Sequence, residues 1–309
     1  MKRSVLQPIT LCLALAQPLA WATEPAEFSF GVIAQSPRQP TDEAVLREIL
    51  EDADADNLAF VTVNGVKPAR EPCTDKAYQR SKALLDEARN GVIVSFSATD
   101  WANCPPESGR SSAIGRLNKL RDLFFLDDFS LGASKIPVVR QSTIAKFRGF
   151  PENSRWQIGE VMFATLNIPS NNNNYVVDAG RNSEFEDRLI ANRDWLNRVF
   201  TFAQREKAAG IVLFCDGSPM AASRPPASQR DGYAETRKLL AGLAEKFPGR
   251  VLIVSGQPSG QKEPASIRWR GKIGELTAGA GWTKVKVDST HAGVFSIETH
   301  LVQAAEVSR

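Results

Sequence analysis

Histidine is nearly absent from this chain of 309 residues, which contains only His291 and His300, both near the C-terminus. Cysteine is also scarce, with four residues and no pair spaced as Cys-x-x-Cys. Sites that hold metals commonly draw on clustered histidine and cysteine side chains. The sequence also lacks a Gly-x-Ser-x-Gly motif, which is the usual nucleophile turn of α/β serine hydrolases. These absences argue against a zinc cluster and against serine hydrolase chemistry.

Long apolar segments and basic clusters are missing as well. After the N-terminal region, no segment approaches the ~20 apolar residues that a transmembrane helix needs. Lysine and arginine number 38 against 35 aspartate and glutamate residues, and they form no long run. A nucleic-acid-binding domain usually carries a concentrated basic face. The sequence therefore predicts neither a membrane-spanning helix in the main body of the chain nor nucleic-acid binding.

The N-terminus has the pattern of a secretory signal peptide. Lys2 and Arg3 precede a short apolar stretch at 9–19, and Ala20-Trp21-Ala22 places small residues where signal peptidase cuts. We expect cleavage after residue 22, a periplasmic or secreted location, and one domain over residues 23–309. Cleavage removes two positive charges and lowers the formal net charge from +3 to +1. The alternative is a cytosolic protein with an apolar N-terminal helix.

Three cysteines remain after this cleavage. Cys73 and Cys104 lie in loops that follow predicted strands, whereas Cys215 ends an apolar strand. In an oxidising compartment two cysteines can pair. We predict a Cys73–Cys104 disulfide and a buried Cys215 thiol, the alternative being three reduced cysteines.

Strands and helices alternate along the chain, which predicts an α/β fold. The predicted strands cover 28–34, 58–63, 92–96, 136–141, 161–168, 211–214 and 251–254. One predicted helix begins at residue 41. Four more are predicted over 76–89, 116–125, 184–208 and 233–247. The region from residue 267 onward predicts a β-hairpin. Residues 217–232 form the predicted flap over a cleft, and the four asparagines at 171–174 predict a turn.

Several loop segments, in this order, support a family resemblance. They are the 101–104 loop, the 116–125 helix, Leu131-Gly132, Phe150-Pro151-Glu152-Asn153 and Trp156. Over residues 28–290 the chain resembles bacterial calcineurin-like metallophosphoesterases of a secreted type. The resemblance implies a four-layer α/β/β/α sandwich of two mixed sheets. It also implies a two-metal site built from Asp, Asn and His at strand ends.

The positions that would hold the metals depart from the family pattern. Gln35 and Gly65 stand where the family has aspartates, Thr99 replaces an asparagine, and Ser255 and Ser259 replace histidines. A shared carboxylate normally offsets the repulsion between two divalent ions. We therefore expect no two-metal centre and no cofactor.

Other candidate residues leave alternatives open. Asp100 and Asp216 could hold a single hard divalent cation through oxygen, although a lone Asp more often serves a turn. Cys215 could be a nucleophile if a base approached it, but a buried structural thiol is the simpler interpretation. Lys67, Arg148 and Arg155 are candidates for gripping a phosphate or carboxylate if they line the cleft.

Three functions follow from these residues. The first is an exported, catalytically degenerate metallophosphoesterase-like protein that binds a small ligand or an envelope protein. The alternative is a phosphoric ester hydrolase with a single-metal or non-standard site. The third is a structural role in the cell envelope. An open cleft lined by Arg or Lys would favour the first, a bound metal the second, and a collapsed cleft the third.

Overall fold

The computed structural model describes residues 26–34, 43–105, 112–176, 182–220, 230–256, 264–278 and 281–299. The predicted signal peptide lies outside these residues. The described strands are β1 Glu27–Ile33, β2 Val61–Asn64, β3 Val92–Ser95, β4 Val139–Arg140, β5 Ser154–Ile158, β6 Val161–Thr165, β7 Gly210–Cys215, β8 Arg250–Ser255, β9 Ser266–Arg270, β10 Ile273–Thr277, β11 Thr283–Asp288 and β12 Val294–Thr299. The α-helices are α1 Glu43–Asp54, α2 Asp75–Asp86, α3 Ala113–Phe124, α4 Ser183–Arg205 and α5 Ala234–Lys246.

The strands form two mixed sheets. The first has five strands in the order β12-β11-β1-β2-β3, and the second has seven in the order β4-β5-β6-β7-β8-β10-β9. Strands β1, β2 and β3 are parallel, with α1 and α2 as their connections. Strands β6, β7 and β8 are likewise parallel, with α4 and α5 as connections. Parallel neighbours need such crossovers, which explains the alternation of strands and helices in the sequence.

The side chains of these strands divide the core into three apolar layers. On β7, Ile211 and Leu213 pack towards α4 and α5, whereas Val212 and Phe214 face the other sheet. This alternation follows from the two-residue period of a strand. Helices α1, α2 and α3 cover the outside of the five-stranded sheet in the same way. The expected four-layer α/β/β/α architecture is confirmed.

Aromatic rings fill the layer between the sheets. Phe60 immediately precedes β2 of the five-stranded sheet, and its ring centroid is 5.0 Å from that of Phe163 on β6, in edge-to-face contact. Phe30 stacks on Phe60 with a centroid separation of 5.1 Å. All three side chains are fully buried. Each aromatic side chain removes a large apolar area from water, so this contact holds the two sheets together.

The edge of the seven-stranded sheet differs from the prediction. The strand expected over 136–141 shortens to β4, and Pro137 forms only an isolated bridge with Phe129. Proline has no N–H to donate to a ladder, which limits strand pairing at this point. Strand β5 was not predicted, although its buried and exposed residues alternate.

The C-terminal hairpin prediction is confirmed in outline but divides into two hairpins. Strands β9 and β10 pair antiparallel in the seven-stranded sheet. Strands β11 and β12 pair antiparallel in the five-stranded sheet, where β11 also pairs with β1. The chain therefore returns to both sheets after β8.

The cysteines are arranged as expected. Cys73 and Cys104 form a disulfide, with their Cα atoms 5.9 Å apart, and Cys215 is buried and unpaired. The bridge joins the loop between β2 and α2 to the loop that follows β3. No helix of the described chain has both the length and the apolar character needed to cross a bilayer.

Candidate functional site

The carboxyl ends of the parallel strands from both sheets meet at one end of the sandwich. Asn64 ends β2, Asp216 follows β7, and Gly256 follows β8. A Cβ atom on Gly256 would lie 2.3 Å from Asn64 Nδ2 and 2.9 Å from Asp216 Oδ1. Only a residue without a side chain fits this approach. We call this region, where an α/β protein usually places its ligand, the strand-end site.

Asp216 is the central polar residue of the strand-end site. Its Oδ1 accepts a hydrogen bond from Asn64 Nδ2 at 3.0 Å. Its Oδ2 accepts from the backbone N–H of Ala98 at 2.7 Å and of Ser170 at 2.8 Å. The side chain is buried. Asp216 thus ties the loop after β7 to three other loops, two of which belong to the opposite sheet.

A cavity of about 10 Å³ lies between the ends of β1, β2, β7 and β8, and Thr62, Asn64, Cys215 and Ser255 contribute to its wall. That volume holds about one water molecule. A phosphate ester does not fit in it.

Asp100, the second candidate acid, is fully buried in a 3₁₀ turn after β3. Its carboxylate accepts hydrogen bonds from Ser97 N at 2.7 Å and from Val66 N at 3.1 Å. Burial raises the pKa of Asp100 to about 6. The hydrogen bonds from these N–H groups and the positive charge of Lys67 lower the pKa, but the effect of burial is larger. Asp100 therefore closes a turn and fixes the loop after β2.

The two acids do not offer a set of free metal ligands. Each has its carboxylate oxygens directed at N–H donors. Within the described ranges, no three His, Cys, Asp or Glu side chains lie close enough together to hold a metal ion. Asp216 already accepts three hydrogen bonds, which leaves about one of the roughly four lone-pair positions of its carboxylate for a cation.

Three of the positions where the family places its metal ligands are described, and each has an ordinary structural role here. Gly65 has φ +84°, a left-handed conformation that glycine adopts readily. Thr99 shares a hydrogen bond with the Ser97 hydroxyl at 2.8 Å. Ser255 ends β8 opposite Cys215. Gln35 and Ser259 lie outside the described residues.

Cys215 sits in a poor environment for a nucleophile. Its Sγ donates to the Gly217 carbonyl at 3.2 Å, and burial raises the pKa of the thiol far above its usual value. His291 follows β11 near Asp288, which pairs with Glu27 at the opposite end of β1 from the strand-end site. His291 therefore does not approach Cys215, and His300 lies outside the described residues.

The three candidate cations do not line the strand-end site together. Lys67 is buried, and its Nζ donates to the carbonyls of Pro68 at 3.2 Å and Glu71 at 2.9 Å. Burial lowers its pKa. Arg148 is exposed at the end of a 3₁₀ turn. Arg155 lies on β5, where its guanidinium covers the ring of Phe202 of α4.

A buried polar network beside the strand-end site was missed by the sequence analysis. Arg188 of α4 is fully buried and donates to Glu184 Oε1 at 2.6 Å, to the Asn173 side-chain oxygen, and to the Asn167 carbonyl at 3.2 Å. Asn172, Asn173 and Asn174 all have positive φ. Asparagine tolerates this conformation better than most residues. The run of four asparagines was the available signal, but its hydrogen-bond partners were not predictable from sequence.

Comparisons with known proteins identify distant structural neighbours only. No protein-family model matches the chain, and no curated protein matches it. The crystal structure of TT1561 from Thermus thermophilus has a TM-score of 0.46 and 11% identity, covering 88% of this chain and 98% of that one. A novel phosphatase from Mycoplasma pneumoniae has a TM-score of 0.43 and 9% identity, covering 88% and 92%. Neither likeness is high enough to transfer a function.

Proposed function

We propose that this protein is an exported, catalytically degenerate relative of the metallophosphoesterases that acts by binding. The engagement of Asp216 carries the proposal. Three donors from three different loops occupy its carboxylate oxygens. Three charge-assisted hydrogen bonds hold the carboxylate in place, which is the arrangement expected of a structural residue.

No Arg or Lys lining of the strand-end site is found among the described residues, which favours a structural role in the cell envelope as a second candidate function. In either case the contact surface would lie outside the former cleft. The cavity of about 10 Å³ beside Cys215 is too small for a phosphate ester. The candidate cations also point elsewhere, with Lys67 bonded to backbone carbonyls. The partner would be a small ligand or an envelope protein contacting the outside of the sandwich.

Export is supported by the cysteine arrangement. The Cys73–Cys104 disulfide joins two loops that border the strand-end site. Such bonds persist in oxidising compartments and are rare where thiols are kept reduced. Together with the signal-peptide pattern of residues 1–22, this supports a periplasmic or secreted location.

A phosphodiesterase assay tests the loss of catalysis. Wild-type protein and the Asp216→Asn variant are incubated with bis(4-nitrophenyl) phosphate and Mn²⁺, and released 4-nitrophenol is measured. We expect no turnover above the metal-only background in either protein. Turnover by the wild-type protein that disappears in the variant would restore the single-metal hydrolase alternative.

A further inference from the structure

A groove on the outer face of the seven-stranded sheet lies between its β4 edge and helix α4. Its volume is about 490 Å³, within the range of small-molecule sites. Side chains of both polar and apolar character line it, including Val139, Ile144, Arg155, Trp195, Arg198 and Phe202. Arg155 pairs with Ala164 on β6, whose side chain faces α4 and α5. The groove is therefore separate from the strand-end site between the sheets.

Arg155 is the unusual residue of this groove. Its guanidinium carbon is 3.8 Å from the centroid of the Phe202 ring, and its side chain is half-buried. Among the described residues, none accepts a hydrogen bond from this guanidinium or forms an ion pair with it. Burial lowers the pKa of Arg155, and Glu206 opposes that effect. Glu206 itself lies 3.7 Å from the Arg205 guanidinium.

The two other arginines of the groove, Arg198 and Arg205, each lie within 4 Å of a carboxylate oxygen. Arg198 Nε donates to Asp194 at 2.7 Å one helical turn away. A guanidinium has five N–H donors in a planar fork that matches a carboxylate. Arg155 stacks one face on an aromatic ring, which leaves the donors at its edge for a ligand. The charge of the groove therefore favours an anion at Arg155.

Apolar side chains form part of the wall beside Arg155. Val139 lies directly across from Arg155 in the β4–β5 pairing and is 43% exposed. Ile144 and Phe202 are partly buried and pack against the core on the helix side of the sheet. Exposed apolar side chains next to a charged anchor suit a ligand that has a charged end and a hydrocarbon body.

We propose that this groove binds a small carboxylate carried on an apolar body, of the alkanoate class. Arg155 holds the carboxylate, while Val139, Ile144 and Phe202 contact the hydrocarbon. This site is independent of the proposed loss of catalysis. Phosphodiesterase activity would overturn the proposed function and leave the groove proposal standing.

Octanoate and octanamide test the proposal, because they share one hydrocarbon chain and differ in charge. Each is titrated into ¹⁵N-labelled full-length protein, and amide shifts are followed by NMR. We expect saturable shifts around Ile144, Arg155 and Phe202, with octanoate binding at least about tenfold more tightly than octanamide, as a charge-assisted pair predicts. Equal affinity for the two probes, or shifts confined to another surface, would overturn the proposal.

Two arginine variants locate the anchor. Arg155→Met keeps an apolar stem over Phe202 and removes the charge, so octanoate should bind no better than octanamide. Arg198→Met removes the same charge from the same groove, but Arg198 is already paired with Asp194. It should retain the preference for octanoate. If Arg155→Met still prefers octanoate over octanamide, the proposal is also contradicted. If Arg155→Met does not fold, the titration of wild-type protein with the two probes still tests whether the groove prefers a carboxylate.

Discussion

Replacement of Asp216 tests its role as a structural tie between the sheets. Asp216→Ala leaves three donors without their acceptor, namely the buried N–H group of Ala98 and the partly buried Asn64 Nδ2 and Ser170 N–H. Each unsatisfied buried donor costs about 1–3 kcal/mol. Asp216→Asn keeps one acceptor oxygen, which can face the two backbone donors. We expect losses of about 3–5 kcal/mol for Asp216→Ala and about 1–3 kcal/mol for Asp216→Asn.

Urea unfolding followed by tryptophan fluorescence measures these changes in the free energy of unfolding. Asp86→Asn is the matched control, because Asp86 forms an exposed ion pair with Lys82 at 2.5 Å. Exposed pairs contribute little, so this variant should stay within about 0.5 kcal/mol of wild type. The structural role of Asp216 is refuted if Asp216→Ala unfolds with the same free energy as the Asp86 control. A stabilised variant would instead indicate a carboxylate kept for function at a cost in stability.

Three further predictions concern the interior of the site. Burial raises the pKa of Asp100 in the folded protein to about 6, from 3.8. Between about pH 4 and 6 this carboxyl group is therefore protonated in the folded protein but ionised in the unfolded chain. The free energy of unfolding of the wild type should therefore fall by up to about 3 kcal/mol relative to Asp100→Asn as pH rises through that window, measured by urea unfolding; a constant difference would contradict this. Reduction of Cys73–Cys104 should lower the free energy of unfolding by about 2–4 kcal/mol, and an unchanged melting temperature in dithiothreitol would argue against the bond. Cys215 is buried with a raised pKa, so it should react with a thiol reagent only after denaturation; rapid labelling of the native protein would revive the nucleophile alternative.

The inner strands were predictable because their apolar runs are decisive. Strand β7 is buried at every position, as expected of a parallel strand covered on both faces. The sheet edge was harder, since three of the five residues of β5 are polar, namely Ser154, Arg155 and Gln157. Its two-residue alternation was the signal, but the preceding Pro151 obscured where the strand begins.

The site was predictable only in part, since hydrogen bonds between distant loops decide it. The sequence placed Asp100 and Asp216 at strand ends, and the structure has them there. Asp216 accepts from Ala98, which is 118 residues away, through a backbone N–H that has no sequence signature. Backbone donors are common to almost every residue type, so no pattern of side chains could have indicated this contact.

The backbone also limits any attempt to rebuild a metal site. Gly65 would have to become Asp, yet its φ is +84°. Side chains other than glycine adopt that conformation at a cost, although Asp and Asn tolerate it best. We therefore expect restored ligand types at residues 35, 65, 99, 255 and 259 to be insufficient unless the hydrogen bonds to Asp216 also open.

Metal content is the most direct test of the central claim that the strand-end carboxylates serve the fold rather than a metal. The protein is purified without a metal-affinity column, and divalent metals are quantified by mass spectrometry. We expect far less than one ion per chain for both wild type and Asp216→Asn. About one tightly held ion per wild-type chain, lost in the variant, would contradict it.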